Sequence, residues 1–193
     1  MAGHIPDVGS KELTVAGEIS ASGGIHGGTT GTQTTGSYDF PGAIMGYTVV
    51  GIDATADSYT ITNAFAVTDA DHRVTFVAPK SGNVEIMVQI FVDTTSTRPL
   101  YFGLSDDATY SQPGSDDKYE QKVLTGGGVS DERTVQHYWT VTGLTAGTTY
   151  EYWFGAKSSH NSAYVLRWSG NVALGFAPFI MKATALPSNI NNV

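Results

Sequence analysis

The sequence predicts an all-β protein, a two-sheet sandwich carrying an extended N-terminal arm. Three observations lead there. From Pro41 onward, short runs alternate apolar and polar residues with the period of two that half-buried strands show. Gly-, Pro- and Asp-rich turns separate roughly ten such runs, and none carries a convincing helical period. Between Ser22 and Gly36, in contrast, nearly every residue is Gly or Thr, a composition that cannot pack a core. The chain therefore divides into an arm and linker over 1–40, a strand-dense head over 41–186 and a polar tail, "PSNINNV", over 187–193.

The head begins with the strand candidates "YTVVGID" and "SYTITNAFAVT". "RVTFVAP" alternates and ends in the turn "PKSG". "GNVEIMVQIFVDT" gives the cleanest alternation: Val84, Ile86, Val88, Ile90 and Val92 point one way, and Glu85, Met87, Gln89, Phe91 and Asp93 the other. "LYFGLSD" and "EQKVLTG" follow. "RTVQHYWTV" puts Val135, His137, Trp139 and Val141 on one face, and "TYEYWFGAK" does the same for Tyr150, Tyr152, Phe154 and Ala156. "YVLRWSG" and "PFIMKATAL" complete the set.

Some residues sit on the wrong face for a simple sandwich. Met87 and Phe91 lie on the otherwise polar side of the best strand. Either a loop or the core's edge covers them, or this face packs against another subunit. Trp153 alternates away from Tyr152, beside Glu151, and is a further candidate for a subunit interface, or for stacking on a sugar.

The arm has two parts. "KELTVAGEISASGGI" carries Leu13, Val15, Ile19 and Ile25 as sparse apolar points among small residues, too few to offset chain entropy alone. The Gly/Thr zone after it suits a flexible linker. A pure spacer needs no apolar points, so these four residues are candidates for docking on other chains.

Composition narrows the function. The 193 residues are 40% hydrophobic and 11% aromatic, enough for one core plus an extension. With no Cys, stability has to come from packing or partner chains. The net charge is −8, and Lys11 is the sole Lys or Arg among the first 72 residues. Phosphate contacts need clustered cations, so nucleic acid is not expected; no apolar run approaches the length of a membrane helix, so neither is membrane insertion. The opening "MAGHIPDVGSKELTV" lacks a basic segment followed by an apolar one, so no secretory leader is expected.

Catalytic patterns are missing as well. There is no G-x-S-x-G, H-E-x-x-H or G-x-x-x-x-G-K-[ST]. No two of His4, His26, His72, His137 and His160 have the spacing of paired ligands. Asp106, Asp107, Asp116 and Asp117 bracket the loop "ATYSQPGS" and are the calcium candidates, yet they match no EF-hand spacing and read equally as solvated turn carboxylates. No enzyme activity, cofactor or metal is expected.

Two segments carry a resemblance. "VTFVAPKSGNVEIMVQIFVD" resembles the strand–turn–strand of jelly-roll heads related to the C1q and tumour necrosis factor folds, with Val84 in place of an aromatic. "WTVTGLTAGTTYEYWFGAKSS" resembles the G-L-x-x-G-x-x-Y turn of many β-sandwiches, in which Tyr150 would close a corner by bonding to nearby backbone. A Gly/Ser/Thr-rich leader ahead of a compact β head is similar in organisation to bacteriophage virion proteins. The resemblance implies a jelly-roll-like sandwich, a homotrimer and a place on the outside of a virion.

Three functions follow as expectations. The first is a capsid decoration (cement) protein docked by its arm on the major capsid protein. The second is a short tail fibre or receptor-binding tip attached to a tail component and touching a host surface glycan or protein. The third is a secreted carbohydrate-binding module, against which the missing leader counts.

Overall fold

A computed structural model describes residues 40–52, 56–94, 97–110, 120–125, 131–161, 163–169 and 175–190. The arm, with Leu13, Val15, Ile19 and Ile25, lies outside the described residues. Among the described residues eleven strands form, in chain order: β1 (Ile44–Val50), β2 (Asp57–Thr60), β3 (Ala66–Val67), β4 (Arg73–Val77), β5 (Val84–Thr94), β6 (Pro99–Ser105), β7 (Gln121–Thr125), β8 (Asp131–Val141), β9 (Thr149–Ser158), β10 (Tyr164–Trp168) and β11 (Phe179–Ala185). No helix occurs among the described residues.

The strands make two antiparallel sheets. One contains β1, β11, β5, β8, β10 and β2; the other contains β3, β4, β9, β6 and β7. Eight strands form the frame, and their pairing is nested: β1 with β11, β4 with β9, β5 with β8, β6 with β7. First pairs with last and fourth with fifth, as in one long hairpin rolled on itself. The β11–β5 and β6–β9 pairs then seal each sheet. That order, β1-β11-β5-β8 facing β4-β9-β6-β7, is a jelly roll.

β5 is the centre of the first sheet. All eleven of its residues pair with β8 along one edge. Its other edge is shared: β11 takes Val84–Gln89 and β10 takes Phe91–Thr94, so the sheet forks near Ile90. Its alternation comes out as expected, with Val84, Ile86, Val88, Ile90 and Val92 buried in the core beside Trp139, Phe102, Phe154 and Phe179. Trp139, Val141, Tyr152, Phe154 and Ala156 are buried, as their alternation predicted.

"SYTITNAFAVT" does not form one strand. Its start is β2 in the first sheet and its end is β3 in the second. The chain changes sheets over Ile61–Phe65, where Thr62 Oγ1 donates to Ala64 O and Asn63 N–H donates to Asn161 Oδ1. Asn63 and its amide partner satisfy a backbone group that a continuous strand would have paired.

The core also holds one imidazole. His72 is fully buried, stacked on Phe179 at 3.8 Å between ring centroids and edge-on to Trp168 at 4.3 Å. Its Nδ1 lies 2.7 Å from Thr68 Oγ1, and its Nε2 has no hydrogen-bond partner. Burial lowers its pKa from 6.5 to about 3, so it is neutral in the fold. The unfolded chain binds this proton below pH 6.5 and the folded chain does not until near 3. Stability therefore falls as pH drops through that window. Urea unfolding at pH 7 and pH 5 should show the wild type losing roughly 2 kcal/mol more than His72→Phe, which has no proton to take up.

Candidate functional site

The candidate surfaces follow from the outward residues of each sheet. On the first sheet, the register sets Tyr47, Lys182, Met87 and Tyr138 in one row across β1, β11, β5 and β8, with Val49, Ile180, Gln89 and Gln136 in the next. Ile44 is 60% exposed, Tyr47 55% and Tyr138 47%, so large apolar surface remains uncovered along both sides of the sheet. Met87 itself is buried in the middle of the row. Phe91 is half-buried, its ring 5.0 Å from that of Phe176, which the chain between β10 and β11 brings over it. Phe176 thus stands over Phe91, Lys182 and Tyr138 flank Met87, and the most exposed apolar side chains on this face are others.

Trp153 lies elsewhere. It is half-buried on the outer face of the second sheet, opposite Arg73 on β4 and Ser105 on β6. Met87, Phe91 and Trp153 therefore do not share a surface, because β5 and β9 belong to different sheets.

Beside Trp153, Tyr110 folds back over the second sheet. Its φ is 51°, an uncommon value for a non-glycine residue. Its hydroxyl lies over Gly103 and its ring over Gly155, so a Cβ added at either glycine would collide with it. Phe65 stacks on it at 5.2 Å, and the Lys157 ammonium sits 4.5 Å from the Phe65 ring centre. Burial, with the charge of Glu120 adding to it, pushes the Tyr110 phenol well above its ordinary range. The two glycines make a pit, and Tyr110 fills it, pinning the start of the β6–β7 connection.

Asp106 and Asp107 open that connection. Asp107 is already engaged locally, since its Oδ1 accepts from the N–H and hydroxyl of Thr109. Asp116 and Asp117 lie outside the described residues. Among the described residues, no three His, Asp or Glu side chains group so as to hold a metal ion.

Tyr150 sits at the β8–β9 corner, where its hydroxyl oxygen accepts from Thr145 N–H at 3.0 Å. His137 contacts Gln121 Oε1 through Nε2 at 2.8 Å, and burial lowers its pKa. His160 is exposed. His4 and His26 lie outside the described residues. The Thr68–His72 pair is sealed inside the core, so no substrate reaches it.

A groove opens where the two sheets meet. β1 is an edge strand of the first sheet and β4 of the second. They touch at Gly46, where a Cβ would stand 2.5 Å from Thr75 O, and separate beyond it. The opening holds about 640 Å³ between Tyr47–Ile52 on one side and Asp71, Arg73 and Thr75 on the other. Arg73 is fixed there by Glu151, Nε to Oε1 at 3.0 Å, and by Nη1 donating to Ala70 O at 3.1 Å. The sequence offered no signal for this site, because its two walls come from different sheets.

No family model matches the chain, and no curated protein matches it. Among solved structures it is similar to the N-terminal CBM22-1–GH10 modules of endo-1,4-beta-D-xylanase 10B from Clostridium thermocellum, a crystal structure complexed with xylohexaose. The identity is 9%, covering 80% of this chain and 30% of that one, and the TM-score is 0.29. The chain thus spans less than a third of that protein's length, and a likeness at this level carries no functional argument.

Gly155→Ala should displace Tyr110 and cost about 1–3 kcal/mol in chemical denaturation. In a spectrophotometric titration, one phenol should then move back down toward the ordinary tyrosine range.

Proposed function

We propose that this protein is a non-catalytic structural component of a bacteriophage particle, a capsid decoration protein with a trimeric jelly-roll head and a docking arm. The observation that carries the reading is the outer face of the β1-β11-β5-β8 sheet. Ile44 and Tyr138, outside the β1–β4 opening, present open apolar surface around the buried Met87. A monomer gains nothing from such a face, and a second copy of the chain removes it from water. The organisation of the sequence, an apolar-pointed Gly/Thr-rich leader ahead of a β head, supports a place on a larger shell. There the arm adds docking energy. A binder selective for the assembled shell stabilises it by its own binding free energy, multiplied over many equivalent sites.

A short tail fibre or receptor-binding tip is the alternative place in such a particle. Copy number on purified particles separates the two: near parity with the shell protein supports decoration, and a few copies per particle support the fibre.

Light scattering on the purified chain should give a trimer. Replacing Ile44 and Tyr138 together by Lys should give a folded monomer, because unpaired charges placed in a buried interface cost several kcal/mol. A wild-type monomer at high concentration overturns the trimeric reading. Deleting residues 1–36 should leave a folded head that no longer attaches to its particle; retained attachment would put the binding surface on the head.

A further inference from the structure

The groove between β1 and β4 has no part in the assembly reading. On its far wall Asp71, from the turn "DADH" (Asp69–His72), stands beside Arg73 and Thr75. Asp69 Oδ1 accepts from Asp71 N–H at 2.8 Å, and Asp69 O accepts from His72 N–H at 3.1 Å. His72 is locked in the aromatic core, so the turn is held from beneath. Asp71 and Arg73 are thereby fixed on one wall, with Tyr47 exposed on the other.

Three polar groups in this groove are free among the described residues. Arg73 uses Nε on Glu151 and Nη1 on Ala70 O, and its Nη2 meets no acceptor. The Asp71 carboxylate accepts no hydrogen bond and joins no ion pair. The Tyr47 hydroxyl has no partner either. A fixed planar donor, a free carboxylate and an exposed aromatic ring form a complementary set for a ligand that alternates C–H and O–H groups. The ring covers C–H surface, while a guanidinium fork and a carboxylate each suit neighbouring hydroxyls.

Other chemistries fit less well. An anion would meet Asp71 and Glu151 next to Arg73, on a chain of net charge −8. An apolar ligand would desolvate Asp71 and Arg73 without replacing their water. A hard cation needs several oxygens, and this wall offers one free carboxylate. A peptide added along the edge of β1 would pair with backbone and make no use of the Asp71–Arg73 arrangement.

We propose that the groove between β1 and β4 binds a neutral saccharide, with Tyr47 as the stacking face and Asp71 and Arg73 as the hydrogen-bonding wall. The inference is independent of trimer formation and of any place in a particle. The test uses the full chain and a panel of neutral trisaccharides built from glucose, galactose, mannose or N-acetylglucosamine, with sialyllactose and inorganic phosphate as charged probes. Saturation-transfer NMR and calorimetry should find at least one neutral member that binds. Tyr47→Ala and Asp71→Asn should each weaken that binding at least ~10-fold, and Tyr138→Lys, on the assembly face outside the groove, should leave it unchanged. Three results overturn the proposal: no neutral member binding at ~10 mM, binding that survives both groove substitutions, or binding confined to the charged probes. If Tyr138→Lys alters the oligomer but not sugar binding, the groove and the assembly face are separate. If the wild type is a monomer that still binds sugar through Tyr47, the assembly reading fails and this one stands.

Discussion

The fold depends on β5. Its eleven residues pair along the whole of one edge with β8 and along the other with β11 and then β10. Its inward side chains are Val and Ile from Val84 to Val92 and then Thr94, all β-branched, so they pack with little loss of rotamer freedom against the aromatic layer from β6, β8 and β9. A slip of one residue in its register would turn Glu85, Gln89 and Asp93 into the core. That penalty fixes β8 and β11, and through them the nesting of the remaining pairs.

A rolled hairpin still has open edges, and their treatment shapes the surface. β1 and β4 end their sheets side by side and come together at Gly46, where the absence of a Cβ lets backbone meet backbone. Beyond that point they part, and the unpaired edges line a groove. Edge strands invite added partners, and a cleft between two of them also gathers side chains from both sheets. The same β1 carries Ile44, Tyr47 and Val49 on the outer face of its sheet, so this one edge strand borders both candidate surfaces.

Two aromatic devices fix what the sheets alone leave loose. His72 gives up its charge to sit between Phe179 and Trp168, and in return holds the Asp69–Asp71 turn in place. Tyr110 adopts a left-handed backbone so that its ring can lie on two glycines. In each case an unfavourable local term is offset by burial of an aromatic ring in a site shaped for it.

Period-two alternation was enough to place Val84, Ile86, Val88, Ile90 and Val92, then Trp139 and Val141, and Tyr152, Phe154 and Ala156 inside, because a strand buried on one face leaves that pattern in the chain. Turn chemistry bounded most strands for the same local reason. What lies opposite what is not local. Alternation put Met87, Phe91 and Trp153 on outward faces but could not say that β5 and β9 belong to different sheets, nor that Phe176 covers Phe91. "SYTITNAFAVT" looked continuous because the break at Asn63 depends on Asn161, nearly a hundred residues away. The pit under Tyr110 and the cleft holding Tyr47, Asp71 and Arg73 needed the tertiary structure. Each joins strands brought together by the roll, and a periodic pattern records which side a residue faces, not which neighbour it meets.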